Sequence, residues 1–497
     1  MSILTQSLRT VSGFSIDVLR RLRYVIITLV AIGIGVGIGS VTNDADTIAI
    51  VISIAVITSL FFLIIARPVN GLLALLFFMV FIDHWVEIPM GQGIPDLNFS
   101  RFFLFFTSVI LLAWAAIGKF KFTRIGWVEI FAVATVMGIA SAATLTTTPS
   151  PVNVIQNTLT NQLTPLFIYF FAKNLVRNRT ELYQVLWVIA ILGAFTGLYA
   201  LYEYSTGHVL FVQKDKDVTR LFRGGTNIRL IVGIMGGSGQ MGRAMAAIIP
   251  VTFYLFLEHK KADLGKLLLI IMLVFQFGGL IVPLSRTPWY ATLLALFVMQ
   301  LFYPQFRKLF IIIGIVGAVV IFGTWDSVSQ SQAASRLDDD GEGLEGREAR
   351  WNAGWNMFMS KPIRGWGFGK YETNSGRFRT DGSRSNFDAI ESDYLHIMVA
   401  TGLIGIAPYL LYIASILIYS WRLFLRVRLP EWSGFIKTGT LTVVWAMIIC
   451  LMVTSYTARQ VQPVIKLITF AVAGAVVGSH EYILRKPKDS LEDYEKA

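Results

Sequence analysis

Residues 266–302 read KLLLIIMLVFQFGGLIVPLSRTPWYATLLALFVMQLF. Two apolar runs, 266–284 and 286–303, are parted by a single polar step, Ser285-Arg286-Thr287. Each run is long enough to cross a hydrocarbon core of roughly 30 Å as a helix. A segment in lipid must satisfy its own backbone N–H and C=O groups, so runs of this kind fold as helices. The pattern recurs at 24–42, 47–66, 69–83, 100–118, 126–146, 157–174, 181–203, 239–257, 308–325, 393–420, 436–454 and 461–480. This predicts an all-α polytopic membrane protein with about 12–14 transmembrane helices and one large extracytoplasmic loop containing short helices.

Composition agrees. The 497 residues are 55% hydrophobic, with a mean hydropathy of +0.62. The single cysteine, Cys450, lies inside an apolar run and has no second thiol to pair with. Residues 1–23 are mixed and basic, and no cleavable signal is read there. A net charge of +12 is ambiguous between nucleic acid and membrane topology, and its distribution favours topology, because Lys and Arg gather on cytoplasmic connections. Arg20, Arg21 and Arg23 precede the first run. Alternate connections carry Lys119, Lys121 and Arg124, then Lys173, Arg177 and Arg179, Lys260 and Lys261, Arg307 and Lys308, and Arg422, Arg426 and Arg428. The opposite connections, such as 43–46, 83–98 and 146–153, are acidic or neutral.

Both termini are therefore expected in the cytoplasm. The chain divides into a cytoplasmic segment 1–23, transmembrane helices over 24–325, an extracytoplasmic loop 326–392, transmembrane helices over 393–480 and a cytoplasmic tail 481–497. The cytoplasmic connections are short and carry no nucleotide-binding motif, so chemistry is expected outside, driven by an activated substrate delivered in the membrane or by a gradient.

The 326–392 loop holds eleven acidic and nine basic residues, which excludes lipid as its solvent. It contains the spacing GRxxxWx₁₀PxxGxGxGxY: Gly346, Arg347, Trp351, Pro362, Gly365, Gly367, Gly369 and Tyr371. Four groups stand out as candidate chemistry. Ser285 and Arg286 sit at the outer mouth between two runs. An arginine costs about 2.5–3.5 kcal/mol at the centre of a membrane helix and less near an interface, so Arg286 is either an anion clamp or a snorkelling side chain. Residues 346–360 read as a helix with Trp351 and Trp355 on one face and Arg347 at its start, suited to pyrophosphate or to an interfacial position. The alternating glycines of 365–369 permit positive φ and can cradle phosphate or simply build turns. Glu391 and His396 flank the start of the 393–420 run; either can act as a general base. They are five residues apart, about 500° around a helix, and so share no face. Ser392 and Asp393 between them also read as a helix cap and an acidic first turn.

Weaker groups remain. Asp338-Asp339-Asp340-Gly341-Glu342 misses the calcium-loop spacing. Asp83, His84 and Glu87 form a thin metal set. Arg220, Arg223, Arg229 and Arg243 make 220–243 a basic, glycine-rich stretch suited to a second substrate wall. No metal or cofactor is expected, and no nucleic-acid partner.

In order along roughly 100–480, Ser285-Arg286, the Gly346-to-Tyr371 pattern and Tyr394-Leu395 followed by Thr401-Gly402-Leu403-Ile404-Gly405-Ile406 resemble the O-antigen ligase and O-antigen polymerase superfamily of bacterial envelope glycan assembly. The resemblance implies an undecaprenyl-pyrophosphate glycan donor. Two family arginines hold the pyrophosphate and match Arg286 and Arg347, with Ser285, Trp351, Gly365 and Gly367 alongside. A family histidine in a His-Asn-x-Tyr-Leu context activates the acceptor hydroxyl; here Glu391 stands at that position and Ser392 replaces the asparagine, with His396 as a substitute base. The implied protein is a metal-independent glycosyltransferase of the bacterial inner membrane. It moves the glycan onto lipid A-core, a growing polysaccharide or a protein. The alternative from the residues alone is a transporter or flippase for an anionic lipid-linked substrate, or a non-catalytic scaffold.

Overall fold

The computed structural model describes residues 64–65, 67–82, 87–88, 97–145, 159–209, 231, 233–235, 237–323, 341–380, 385–429, 437–457 and 464–485. The apolar run 24–42 and all of 47–66 but residues 64–65 lie outside the described residues, as do most of the groups at 83–87, 220–229 and 338–340. Each of the other twelve runs is helical over most of its described residues. In chain order the helices are α1 Pro68–Ile82, α2 Phe99–Ala116, α3 Trp127–Ala143, α4 Thr164–Leu175, α5 Arg179–Thr206, α6 Ser238–Glu258, α7 Leu264–Ile281 and α8 Arg286–Phe302. They continue with α9 Pro304–Gly323, α10 Gly341–Ser360, α11 Lys370–Asn374, α12 Asp393–Val427, α13 Thr438–Thr457 and α14 Val464–Leu484. A π-helical turn, Leu159–Leu163, leads into α4. Glu87–Ile88 and Leu97–Asn98 form one short antiparallel pair with Glu87 opposite Asn98.

The protein is an all-α polytopic membrane protein. Among the described residues six helices, α5, α6, α7, α12, α13 and α14, are long and apolar enough to cross a membrane. Their ends follow local chemistry. The Asn178 side chain caps α5 by accepting from the Glu181 amide at 2.8 Å, and Gly207 ends it at φ 76°. Asp263 caps α7 by accepting from the Lys266 amide at 3.2 Å. His259 on the same connection holds the Asp263 carboxyl below its ordinary range.

Layering follows burial. The apolar window of α6 is 83% buried, that of α7 only 33%. Thus α6 runs through the centre with α13 and α14 beside it, while α7 presents Leu267, Ile270 and Val274 outward. With lipid as apolar as leucine, such helices associate through close backbone approach. Gly474 and Gly478 on α14 provide it: an added Cβ would lie 2.3 Å from the Tyr169 carbonyl oxygen and 2.2 Å from that of Lys173.

Two expectations change. The 393–420 run extends to Val427 as one 35-residue helix, broken at Gly402 by a non-helical φ of 61° and ψ of −160°. The 346–360 helix starts at Gly341, placing Arg347 in its second turn. Arg347 therefore does not sit among the open N–H groups of a helix terminus.

Candidate functional site

One end of the bundle gathers the start of α6, the reversal between α7 and α8, α10 with the loop that follows it, the start of α12, the end of α13 and the start of α14. The α7–α8 reversal is tight: Leu284 adopts a left-handed φ of 51°, and Ser285 precedes the first turn of α8 as its cap. The reversal packs on α6, where a Cβ at Gly242 would lie 3.0 Å from the Pro288 ring.

A chain of contacts runs from Thr287, next to Arg286 in sequence, to the distant Arg347. Beside Arg286, the Thr287 hydroxyl accepts from the Thr457 hydroxyl at 3.1 Å. The neighbouring Tyr456 ring lies 5.3 Å from the Trp351 ring. The Trp351 indole donates to the Glu391 carbonyl at 3.2 Å, and Arg347 Nε donates to the Glu391 carboxylate at 2.8 Å. Arg350 engages the other Glu391 oxygen. Residues remote in sequence therefore share one mouth: the 285–287 step, the 347–351 helix face, Glu391 and 456–457. The Trp351–Trp355 stripe divides, because Trp355 pairs with Phe358 at 5.6 Å and is half exposed.

Glu391 and His396 do not meet. Glu391 stays outside α12, half exposed between its two arginines. The Ser392 hydroxyl accepts from the Leu395 amide at 3.5 Å, which caps the helix and turns the chain inward. His396 follows on the buried face, its ring 5.7 Å from that of Phe368. Asp393, read from the sequence as an acidic first turn, is completely buried and pairs with Lys466 of α14 at 2.7 Å. Lys466 also donates to Gln162 of the π turn at 2.9 Å. Arg243, buried on the first turns of α6, interacts electrostatically with Asp393. Arg243, Lys466 and Asp393 together carry one net positive charge.

The glycine loop is tied to α12 through its backbone. Gly365, Gly367 and Gly369 have φ values of 70°, 92° and 76°, as their alternation suggests. The Gly365 amide, however, donates to Lys361, and the Trp366 and Gly367 amides donate to Val399 and Ala400 at 2.8 and 2.9 Å. In return the Leu403 and Ile404 amides donate to Pro362 and Ile363 at 2.7 and 3.2 Å. The loop thus satisfies the backbone groups that the α12 break at Gly402 leaves open, a requirement at membrane depth. It lies against the end of α3, where a Cβ at Gly367 would meet Leu145 at 3.0 Å. Tyr371 closes the arrangement by donating to the Arg350 carbonyl at 3.0 Å. Burial raises the Tyr371 phenol above its ordinary range, so it remains a donor.

Basic residues of this loop are partly spent on aromatic faces. Lys361 lies 3.9 Å from the Trp366 ring centroid and Arg379 4.1 Å from that of Phe387. Arg350, Thr457, Gln162 and Lys466 were not singled out in the sequence. Lys466 carried a signal, being an ionisable residue inside an apolar run, which marks a buried partner or a pathway. Among the described residues no group of three His, Cys, Asp or Glu side chains is placed to hold a metal.

Residues 240–410 match the family model described as O-antigen ligase, consistent with the O-antigen ligase and polymerase superfamily. The matched span takes in Arg243, Arg286, Arg347, the glycine loop and Glu391, and leaves α1 to α5 outside it. The family is one of glycan-transferring membrane enzymes. No curated protein matches the chain.

Proposed function

We propose that the protein transfers a glycan from undecaprenyl pyrophosphate to a hydroxyl acceptor at the outer face of the bacterial cytoplasmic membrane. The observation that carries this reading is the single mouth shared by the steps at Arg286 and Arg347, although 61 residues separate them in sequence. Two guanidinium groups on separate elements suit a pyrophosphate, whose oxygens they bind in charge-assisted pairs. The charge distribution along the chain supports cytoplasmic termini, with this mouth and the 326–392 loop outside.

In the proposed reaction the acceptor oxygen attacks the anomeric carbon while its proton passes to a carboxylate. The bond from the anomeric carbon to the pyrophosphate oxygen breaks, and undecaprenyl pyrophosphate leaves. Negative charge develops on the departing phosphate, where fixed guanidinium groups stabilise it. Glu391 is assigned as the base, with His396 behind it near Phe368. Donor binding at Arg347 competes with Glu391 for the same guanidinium, so arrival of the pyrophosphate frees the carboxylate at the moment a base is needed. Ser285 and Trp351 border the mouth. Gly365 and Gly367 hold the loop in place. The acceptor classes that fit are lipid A-core, a growing polysaccharide and a protein.

The test is reconstitution in liposomes with a labelled lipid-linked donor and candidate acceptors. Transfer products are expected from the wild type. Arg286→Ala and Arg347→Ala are expected to abolish them at normal protein levels. Full activity in both variants, or donor translocation without any transfer product, overturns the reading.

A further inference from the structure

At the far end of α3, α12 and α14 from the candidate site, a cavity of about 460 Å³ opens between α3, α4, α12 and α14. Along α12 the path from Asp393 to Arg422 is about 40 Å at 1.5 Å per residue, so the two features lie near opposite membrane surfaces. The cavity has the size of a small-molecule site and is lined on one side by charge and on the other by hydrocarbon.

The charges do not cancel. Of the carboxylates at the cavity, Glu129 is buried against Lys173 at 2.7 Å, and Glu481 is paired with Arg485 at 3.3 Å. Arg124 and Arg422 remain. Both are exposed, and neither forms an ion pair among the described residues. Inside the cavity wall, Tyr169 is 1% exposed, and its hydroxyl has no hydrogen-bond partner among the described residues. The opposite wall includes Leu411 and Ile418, which are 47% and 55% exposed on a helix long and apolar enough to cross a membrane. That outer surface faces acyl chains.

We propose that this cavity binds an anionic phospholipid. Its phosphate sits between Arg124 and Arg422, and an acyl chain lies along Leu411 and Ile418. Charge complementarity selects the occupant. Two uncompensated guanidinium groups match a phosphate, and the continuous apolar wall matches the chain that a free anion lacks. Both arginines belong to connections whose basic character assigns them to the cytoplasm, so the lipid belongs to that leaflet, where anionic headgroups attract basic residues. The inference is independent of glycan transfer.

Delipidated full-length protein in mild detergent is titrated with phosphatidylglycerol, phosphatidylcholine or inorganic phosphate and followed by native mass spectrometry. One tightly held phosphatidylglycerol per chain is expected, with a preference over phosphatidylcholine on the order of tenfold or more. Arg124→Ala with Arg422→Ala removes the preference, and the paired lysine substitutions keep most of it. Equal retention of both lipids by the wild type, or wild-type retention in the double alanine variant, overturns the proposal. Inorganic phosphate binding as tightly as the lipid, with the same arginine dependence, assigns a free-anion site and also overturns it. If the double alanine variant does not fold, Arg124→Gln and Arg422→Gln taken singly decide the matter: unchanged retention in both refutes the site.

Discussion

Replacing Gly402 by alanine tests whether the glycine loop exists to repair the break in α12. Gly402 has φ 61° and ψ −160°, a region essentially reserved for glycine, where a side chain costs about 1–3 kcal/mol. Its new Cβ would also lie 2.4 Å from the Ile363 carbonyl oxygen and 2.6 Å from the Gly365 nitrogen. These are backbone atoms that cannot swing aside, so overpacking adds about 1–3 kcal/mol. The sum is about 2–6 kcal/mol against the docked loop. Partial undocking relieves some of it, at the cost of the four hydrogen bonds between 362–367 and 399–404. Gly346→Ala is the internal control. Gly346 belongs to the same sequence pattern, but nothing lies within 4 Å of an added Cβ and it sits inside α10. Alanine there gains about 0.5–1 kcal/mol of helix propensity. Thermal melting in detergent and hydrogen exchange of the 362–369 peptide separate the two. Gly402→Ala should lower the midpoint and expose the Trp366 and Gly367 amides; Gly346→Ala should leave exchange unchanged and melting equal or higher. Wild-type melting and protection in Gly402→Ala would refute the account.

Other outcomes follow from the same geometry. Glu391→Gln removes both guanidinium pairs and the assigned base, so turnover is expected to fall about 100-fold or more with donor KM little changed; a rise in donor KM at normal turnover would make Glu391 a positioning residue for Arg347 instead. Lys466→Met leaves the completely buried Asp393 facing Arg243 alone, and is expected to cost up to about 3–5 kcal/mol. Adding Asp393→Asn should recover most of that loss, and simple additivity in the double variant, measured by melting, would show that the pair is not coupled.

Helices were legible because membrane burial imposes long apolar runs, and the α7–α8 reversal was legible because Ser285-Arg286-Thr287 is the only run of consecutive polar residues in 266–302. The positive φ of Gly365, Gly367 and Gly369 was legible from their alternation. Their use was not, because nothing in PIRGWGFGKY reveals that α12 breaks at Gly402, a glycine in an apolar helix that ordinarily reads as continuous. Asp393 was legible in part: it does lie in the first turn after the Ser392 cap. An acidic residue after Ser392 fits a first helical turn, and only the position of Lys466, 73 residues onward, shows that it is half of a buried pair. Arg347 was visible as a motif residue, whereas the link between its helix and the 285–287 step runs through Thr457 and Tyr456, which belong to no pattern in the sequence.

The three carboxylate–cation contacts at this end of the bundle differ in how easily they are broken, and that difference assigns roles. Arg347 and Glu391 are 48% and 35% exposed, so their pair contributes about 0–1 kcal/mol. A pyrophosphate carrying two or more negative charges displaces Glu391 at little cost, and the Arg350 pair is similarly open. Asp393 and Lys466 are each 1% exposed, and separating them breaks a fully buried ion pair, which costs several kcal/mol. On the proposed reading Glu391 is therefore the exchangeable partner, surrendering its arginines to the donor and becoming available for the acceptor proton. Asp393 is the fixed one: it anchors the start of α12 to α14 and holds Glu391, two residues earlier, at the rim where that exchange takes place.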